Sequence, residues 1–181
     1  MIRAATVGLL GLVLLGCSGV ELSPVNTAGV DFSGEWLIDF GESDQVPDLR
    51  NRAPRKQKRR LNPTVRDEAL RIGDGSGLAF VTHDFQVLHA DKLQIEQNRD
   101  SMGIRYFPGV YRDVTWGTRQ RGLWEVYAGW EEQELVIISE AKDLKVSERF
   151  ARVATDVLVV NVSVNADGEE MDIKRTFRRR R

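Results

Sequence analysis

This sequence has a single cysteine, no long hydrophobic run and almost equal numbers of basic and acidic residues. The single cysteine, Cys17, has no partner for an internal disulfide. The apolar run from Ala4 to Leu15 has about 12 residues, too few for a permanent transmembrane helix, which needs about 20. With 26 basic and 27 acidic residues the formal net charge is -1. That balance argues against a nucleic-acid-binding domain, because such domains carry a basic excess.

The N-terminal segment has the pattern of a secretory signal peptide. Arg3 supplies a positive charge, and the uncharged run from Ala4 to Leu15 follows it. The run ends in Leu14-Leu15-Gly16-Cys17, which resembles the lipobox of bacterial lipoproteins. The resemblance implies that residues 1–16 are removed and that the Cys17 thiol carries diacylglycerol. The alternative is an ordinary cleaved signal peptide with an incidental cysteine.

The lipoprotein resemblance also implies a location in the cell envelope. Such N-termini carry more than one acyl chain, palmitate among them, and two chains anchor a protein stably where one binds reversibly. Ser18 follows the cysteine. In Gram-negative lipoproteins a residue other than aspartate at this position implies the inner leaflet of the outer membrane, facing the periplasm. In a Gram-positive cell the protein would stay on the outer face of the cytoplasmic membrane.

The chain beyond the leader is expected to form one domain. Roughly 165 residues can bury a core of their own but are too few for two comfortable domains. Residues 17–29 are predicted to be the lipidated N-terminus and a polar tether, because they contain Ser, Gly, Pro and Asn without periodicity. The single domain is predicted over 30–181, with a loop or short helix inserted at about 41–77.

From about residue 78 the sequence alternates apolar and polar side chains in short stretches separated by turn residues. Together with the stretch from Val30 to Phe40, this pattern predicts a mainly β domain with an antiparallel up-and-down meander of about eight strands. Closure removes exposed strand edges, so the pattern favours a barrel or a strongly curled sheet. A β-sandwich is the competing arrangement.

The first strand contains Gly34-Glu35-Trp36, which is similar to the Gly-x-Trp opening of lipocalins and related calycins. The resemblance implies a lipocalin-like barrel in which Arg175, on the last strand, packs across Trp36. The chain also resembles a group of small exported bacterial proteins of unassigned function. The segments that carry this second likeness are Asp31 to Trp36, Ser147 to Arg149 and Lys174 to Arg178.

Aromatic residues and one carboxylate are the candidate ligand-binding residues. Trp124, Trp130 and Tyr127 are candidate walls of a pocket for a hydrophobic or amphipathic small molecule, which predicts an open apolar cavity of several hundred cubic ångströms. The same side chains could instead fill the interior. Glu148 lies on the apolar face of its strand. It either pairs with an inward arginine such as Arg175 or holds the polar end of a ligand.

A second hypothesis rests on basic residues. The sequence has two basic runs, Arg52 to Arg60 and Arg178 to Arg181. The simplest interpretation is that the first is a solvated loop and the second a frayed tail. The alternative is contact with anionic lipid headgroups or a partner protein, as expected of a structural or interaction lipoprotein of the envelope. The candidate residues for that contact are Arg52, Arg55, Lys56, Lys58, Arg59 and Arg60.

Catalytic chemistry is not expected. His83 and His89 are six residues apart, which would place them on one face of a strand near Asp84 or Asp91, but no third ligand cluster accompanies them. No nucleophile elbow is present, and Cys17 is assigned to lipid. We therefore expect no metal site, no cofactor and no enzymatic activity. The sequence leaves the oligomeric state and the identity of any ligand open.

Overall fold

The computed structural model describes residues 21–49 and 77–180. Within these residues the chain forms ten strands, the helix α1 at Gly77–Asp84 and a 3-10 helix at Gln86–Leu88. The strands in chain order are β1 Gly34–Ile38, β2 Lys92–Gln97, β3 Ser101–Phe107, β4 Tyr111–Thr115, β5 Gly117–Arg121, β6 Trp124–Glu131, β7 Glu134–Ala141, β8 Leu144–Ala154, β9 Val157–Ala166 and β10 Glu169–Arg179.

All ten strands belong to one antiparallel sheet with the order β4-β3-β2-β1-β10-β9-β8-β7-β6-β5. Neighbours in space are neighbours in sequence except where β1 pairs with β10, so the predicted up-and-down meander is confirmed. Ten strands are described instead of about eight, partly because Gly122, with φ of +58°, makes a turn between β5 and β6. The two edge strands, β4 and β5, follow each other in the chain with Trp116 between them. They do not pair in the sheet and so border a seam.

The sheet is curled into a nearly closed barrel. Strands β4 and β8 are six steps apart along it, which in a flat sheet would separate them by about 29 Å at 4.8 Å per step. Yet the Arg112 guanidinium on β4 lies 2.6 Å from the Glu148 carboxylate on β8. This contact crosses the interior and brings opposite walls of the barrel together.

Side chains that point inward at every second residue are buried in the interior of the barrel. The upper end of the barrel is the end with α1 and the turn between β9 and β10; the lower end has the turn between β6 and β7. Near the lower end, Phe32 stacks on Trp130 with ring centroids 5.8 Å apart and meets Phe150 at 6.3 Å. Trp116 meets the edge of Trp130 at 5.6 Å. These four rings are called the lower aromatic group below.

Helix α1 closes the upper end and was not predicted. Leu78, Val81 and Thr82 are its buried side chains with helical spacing, and the alternation expected from residue 78 overlooked that spacing. As a result His83 lies exposed on α1, whereas His89 follows the 3-10 helix. The prediction that both histidines share one face of a strand is therefore wrong.

The chain between β1 and α1 is described in part. Residues 39–44 follow the edge of β10, with the Asp39 amide donating to Thr176 O at 2.8 Å and the Asp44 amide donating to Lys174 O at 2.9 Å. The predicted short helix and residues 50–76 of the predicted insertion lie outside the described residues. None of the helices that the structure describes has both the length and the apolar character needed to cross a membrane.

The segment predicted as a tether is attached to the barrel at its lower end. Leu22 is buried, and Ser23 exchanges two backbone hydrogen bonds with Trp130, at 2.9 and 2.7 Å. The Tyr127 hydroxyl also donates to Leu22 O at 3.0 Å. Ser23 can pair there because β5 leaves the β6 edge at the Gly117 and Ala128 pair. Leu22 and Ser23, within the predicted tether, are therefore docked on the barrel, whereas Cys17 lies outside the described residues.

Candidate functional site

A polar cluster lies inside the barrel among apolar side chains. Arg112 on β4 and Glu148 on β8 are buried, and Tyr106 on β3 is 2% exposed. Strand register explains this placement, because Arg112 is opposite Ile104 on β3 and Tyr106 is two residues further along the same face. Alternation therefore directs both side chains inward, toward the wall that carries Glu148.

The Arg112 and Glu148 pair is shielded from water. Its nitrogen and oxygen are 2.6 Å apart, and the two side chains are 5% and 0% exposed. The guanidinium also lies over the Phe85 ring, 5.8 Å from its centroid. Ion pairs with this degree of burial persist only with good geometry and further hydrogen bonds, because desolvation costs several kcal/mol per ion.

Those further hydrogen bonds are missing among the residues that the structure describes. The second carboxylate oxygen of Glu148, the second guanidinium nitrogen of Arg112 and the hydroxyl of Tyr106 are buried and have no partner there. The Ser139 hydroxyl is also buried without a hydrogen-bond partner there. Because Glu148 is opposite Ile137, Ser139 is its diagonal neighbour on β7, about 7–8 Å away between Cα atoms.

Burial and charge set the protonation states of the cluster. Burial raises the pKa of Tyr106 to about 12, while the Arg112 charge and the approach of its guanidinium to the hydroxyl oppose this rise and the Glu148 charge adds to it. That approach does not reach the geometry of a full hydrogen bond. Burial acts to lower the pKa of Arg112, but the charges of Glu148 and Tyr106 and the side-chain contacts with both outweigh burial and raise that pKa above its ordinary value. At neutral pH the phenol is therefore neutral and the guanidinium charged.

The predicted partner of Glu148 is wrong. Arg175 lies in the row of Phe150 and Val160, two strands away from Glu148 and displaced along the barrel. Strand β1 ends at Ile38, opposite Phe177, so Arg175 meets the following loop and donates to Asp44 O at 3.1 Å. Burial lowers the pKa of Arg175, an effect opposed by the charges of Asp91 and Asp44.

The Gly-x-Trp strand has the predicted arginine contact, but with a different residue. Trp36 is fully buried and directly opposite Arg179, whose guanidinium lies 4.6 Å from the centre of a Trp36 ring. Gly34, with φ of +132°, leaves room for that guanidinium, since a Cβ there would lie 3.3 Å from Arg179 Nη1. Arg175 does not pack across Trp36, because it is four residues before the register position that faces this ring.

The three candidate wall residues have different positions. Trp124 and Trp130 are each 2% exposed and point inward. Trp124 packs against Phe85, with ring centroids 5.2 Å apart, and donates from Nε1 to Asp84 at 2.6 Å. Tyr127 points outward, because it alternates with them on β6, and it contacts the Leu22 segment instead. Tyr127 is therefore not an interior wall.

The structure thus buries Trp124 and Trp130 inside the barrel, and the open apolar cavity that they are expected to line stays a prediction. A cleft of about 720 Å³ lies on the surface at the lower end. It is bordered by the turn between β6 and β7 and by Arg149, which bridges Glu131 and Glu134. No group of three or more potential metal ligands occurs in the described ranges.

The basic candidates Arg52 to Arg60 lie outside the described residues, but the structure shows where the chain leaves and returns. It leaves after following β10 from Thr176 toward Lys174, and it returns at Gly77, beside Asp167 in the upper turn. In the C-terminal run, Arg178 pairs with Asp39 at 3.0 Å and Arg180 with Glu35 at 3.3 Å.

Arg112 and Tyr106 were missed as candidate site residues, although the alternation of side chains along their strands indicated that both point inward. Alternation places Tyr106 with Ile104 and Arg112 with Val114 on inward faces, as it does Glu148. An inward arginine and an inward glutamate each require a buried partner. Their mutual pairing was hidden because it crosses the barrel between strands that are distant in the sheet.

Comparisons with known proteins add a distant likeness of shape. No protein-family model and no curated protein matches the chain. The wild-type fluorescent protein UnaG is 17% identical, with a TM-score of 0.48 over 82% of this chain and 97% of its own. One UnaG mutant gives a TM-score of 0.48 at 17% identity, covering 82% and 95%. Another gives 0.41 at 16% identity, covering 53% and 84%. At these values the likeness carries no inference about a ligand.

Proposed function

We propose that this domain is a binding module that holds one small molecule by its polar end at Arg112, Tyr106 and Glu148. The observation that carries the proposal is that each of these three buried side chains has a polar atom without a hydrogen-bond partner in the described part of the chain. Leaving a buried polar group unsatisfied costs about 1–3 kcal/mol, and more for a charged group. A group that supplies the missing bonds would therefore bind favourably.

Ordered water and the polar group of a ligand can each satisfy buried polar atoms. Water alone would explain a single unpaired atom near the surface. Convergence of an arginine, a carboxylate and a phenol from three strands is instead typical of a recognition site.

The seam beside β4 gives the cluster a route to solvent. Strands β4 and β5 do not pair in the sheet, and Asp113 faces Arg119 across the seam with 3.7 Å between their charged atoms. Both side chains of this pair are more than half exposed, and exposed pairs contribute only about 0–1 kcal/mol. The seam can therefore widen at low cost directly beside Arg112.

We also propose that the domain works at a membrane, anchored through lipid on Cys17. Four residues lie between Cys17 and the docked Leu22, and the five steps from one to the other span at most about 17 Å in an extended chain. The lower end of the barrel would then face the lipid. The alternative function is that of an envelope interaction lipoprotein, in which the basic residues Arg52 to Arg60 would contact a partner protein or an anionic lipid surface.

Native mass spectrometry of the full-length protein, purified from its own membrane, tests the binding proposal. We expect the wild type to carry a bound small molecule. The matched control replaces the ion pair by apolar side chains of similar size in the double variant Arg112→Met, Glu148→Leu, which should fold and carry none. Equal occupancy in both proteins, or only water in the wild type, would overturn the proposal.

The anchoring proposal has a separate test. Cells that produce the full-length chain are fed a labelled fatty acid, and the label is measured on the wild type and on Cys17→Ser. We expect label and membrane association only in the wild type. Labelled Cys17→Ser, or an unlabelled wild type, would contradict lipidation at this residue without affecting the binding proposal.

A further inference from the structure

The charge of the polar cluster restricts the chemistry of its ligand. Arg112 and Glu148 are buried side by side at 2.6 Å, so their charges compensate each other within the barrel. Tyr106 is neutral because burial raises its pKa to about 12. Arg121 also acts on Tyr106, but it lies on the edge strand β5 and is partly exposed, so water screens its charge.

The atoms without partners form a mixed set of donors and acceptors. The free guanidinium nitrogen of Arg112 can only donate, and the free carboxylate oxygen of Glu148 can only accept. The hydroxyls of Tyr106 and Ser139 can do either. A group that satisfies this set must both accept from Arg112 and donate to Glu148.

We infer that the polar end of the ligand is an uncharged group that donates and accepts hydrogen bonds at neighbouring atoms, such as a primary amide. The inference rests on the proposed function and names the ligand class of the same site. An amide oxygen would accept from Arg112 while its nitrogen donates to Glu148. A carboxylate would meet the free oxygen of Glu148, and an ammonium would meet the guanidinium. Like charges brought together in a buried site strongly oppose binding.

Three soluble probes with the same alkyl chain test this inference: hexanamide, hexanoate and hexylamine. Their binding is measured by isothermal titration calorimetry with the full-length protein in lipid nanodiscs, and empty nanodiscs correct for partitioning into lipid. We expect hexanamide to bind the wild type at least about tenfold more tightly than the two charged probes, since a tenfold difference needs only about 1.4 kcal/mol.

The variant Glu148→Gln provides the matched reversal. It removes the negative charge but keeps the shape, which leaves the Arg112 charge uncompensated, so hexanoate should become the preferred probe. Circular dichroism checks that Glu148→Gln folds. If this variant does not fold, the order of the three probe affinities for the wild type alone decides the inference. Preference of the wild type for hexanoate or hexylamine, or binding of none of the probes by a protein that carries a native small molecule, would overturn the inference alone. A wild type that binds no probe and carries only water would overturn the proposed function as well.

Discussion

The lower aromatic group and the polar cluster occupy neighbouring parts of the same interior, yet they are held together in different ways. Phe32, Trp130, Phe150 and Trp116 contact each other through ring faces and edges at 5.6 to 6.3 Å. Rings of this kind need close packing and few directed partners. In the polar cluster every side chain needs a directed hydrogen bond, and all three have an unpaired polar atom among the described residues, whereas in the aromatic group Trp130 Nε1 is in that position.

This difference separates the side chains that stabilise the barrel from those that recognise a ligand in the proposed function. Burying a large apolar side chain contributes about 1.5–3 kcal/mol, so the aromatic group stabilises the fold directly. A buried ion pair often contributes no more than apolar side chains of the same size would. The contribution of Arg112 and Glu148 to stability is therefore expected to be small, which agrees with the proposed binding function.

The largest expected effect on stability comes from a substitution in the lower aromatic group. Phe150→Ala removes a fully buried ring and should lower the free energy of unfolding by about 3–5 kcal/mol. Urea denaturation measures this change. The control Val153→Ala is on the same strand but 62% exposed, and it should change stability by less than about 0.5 kcal/mol. Similar losses in both variants would show that the lower end is not a packed core.

The next effect distinguishes a broken ion pair from a replaced one. Glu148→Leu alone leaves the Arg112 charge buried without its partner and should cost about 3 kcal/mol. Adding Arg112→Met should restore stability to within about 1 kcal/mol of the wild type. Denaturant unfolding of both variants provides the measurement. If the double variant were as unstable as the single one, the pair would be structural and the contrast with the aromatic group would fail.

A smaller effect concerns the segment that docks at the lower end. A Cβ on Gly129 would lie 2.8 Å from both Leu22 Cβ and Ser23 O, so Gly129→Ala should displace the segment and cost about 1–2 kcal/mol for the lost hydrogen bonds. Hydrogen exchange of the Trp130 amide, which donates to Ser23, should become faster. Gly41→Ala is the control, because its Cβ would approach only Asp39, at 3.4 Å. An unchanged exchange rate in Gly129→Ala would contradict the docking.

The last effect is confined to alkaline pH and is absent at neutral pH. The pKa of Tyr106 is about 12 in the folded protein, above the value of about 10 in an unfolded chain. The neutral phenol therefore contributes stability that is fully present below about pH 10 and is lost as pH rises through about 12. Stability measured across this range should fall less in Tyr106→Phe than in the wild type. Equal falls would mean that Tyr106 is not shielded from water.

The sequence was sufficient to predict which way most strand residues point. Alternation placed Glu148, Trp124 and Trp130 inward, because side chains of a strand point to opposite faces in turn and this needs no knowledge of the partner strand. The resemblance to lipocalins indicated the arginine contact of Trp36 but selected Arg175. The choice of Arg179 depends on the register of β1 against β10, which local pattern does not specify.

Other parts of the site depended on contacts between distant residues. The segment at Leu22 and Ser23 has the composition of a tether, and only the edge of β6 left free by β5 gives it a place to pair. Helix α1 was missed because its first residues satisfy a strand pattern as well as a helical one. Tyr127 was misplaced as a wall residue although alternation with Trp124 and Trp130 already directs it outward.

The amino-acid sequence by itself determined the mainly β meander and the inward facing of Arg112, Tyr106 and Glu148, since both follow from a period of two residues along each strand. Only the tertiary structure decided that Arg112 and Glu148 meet. Their strands are six steps apart in the sheet, and the direction and degree of curling, set by all ten strands together, bring the two charges to 2.6 Å.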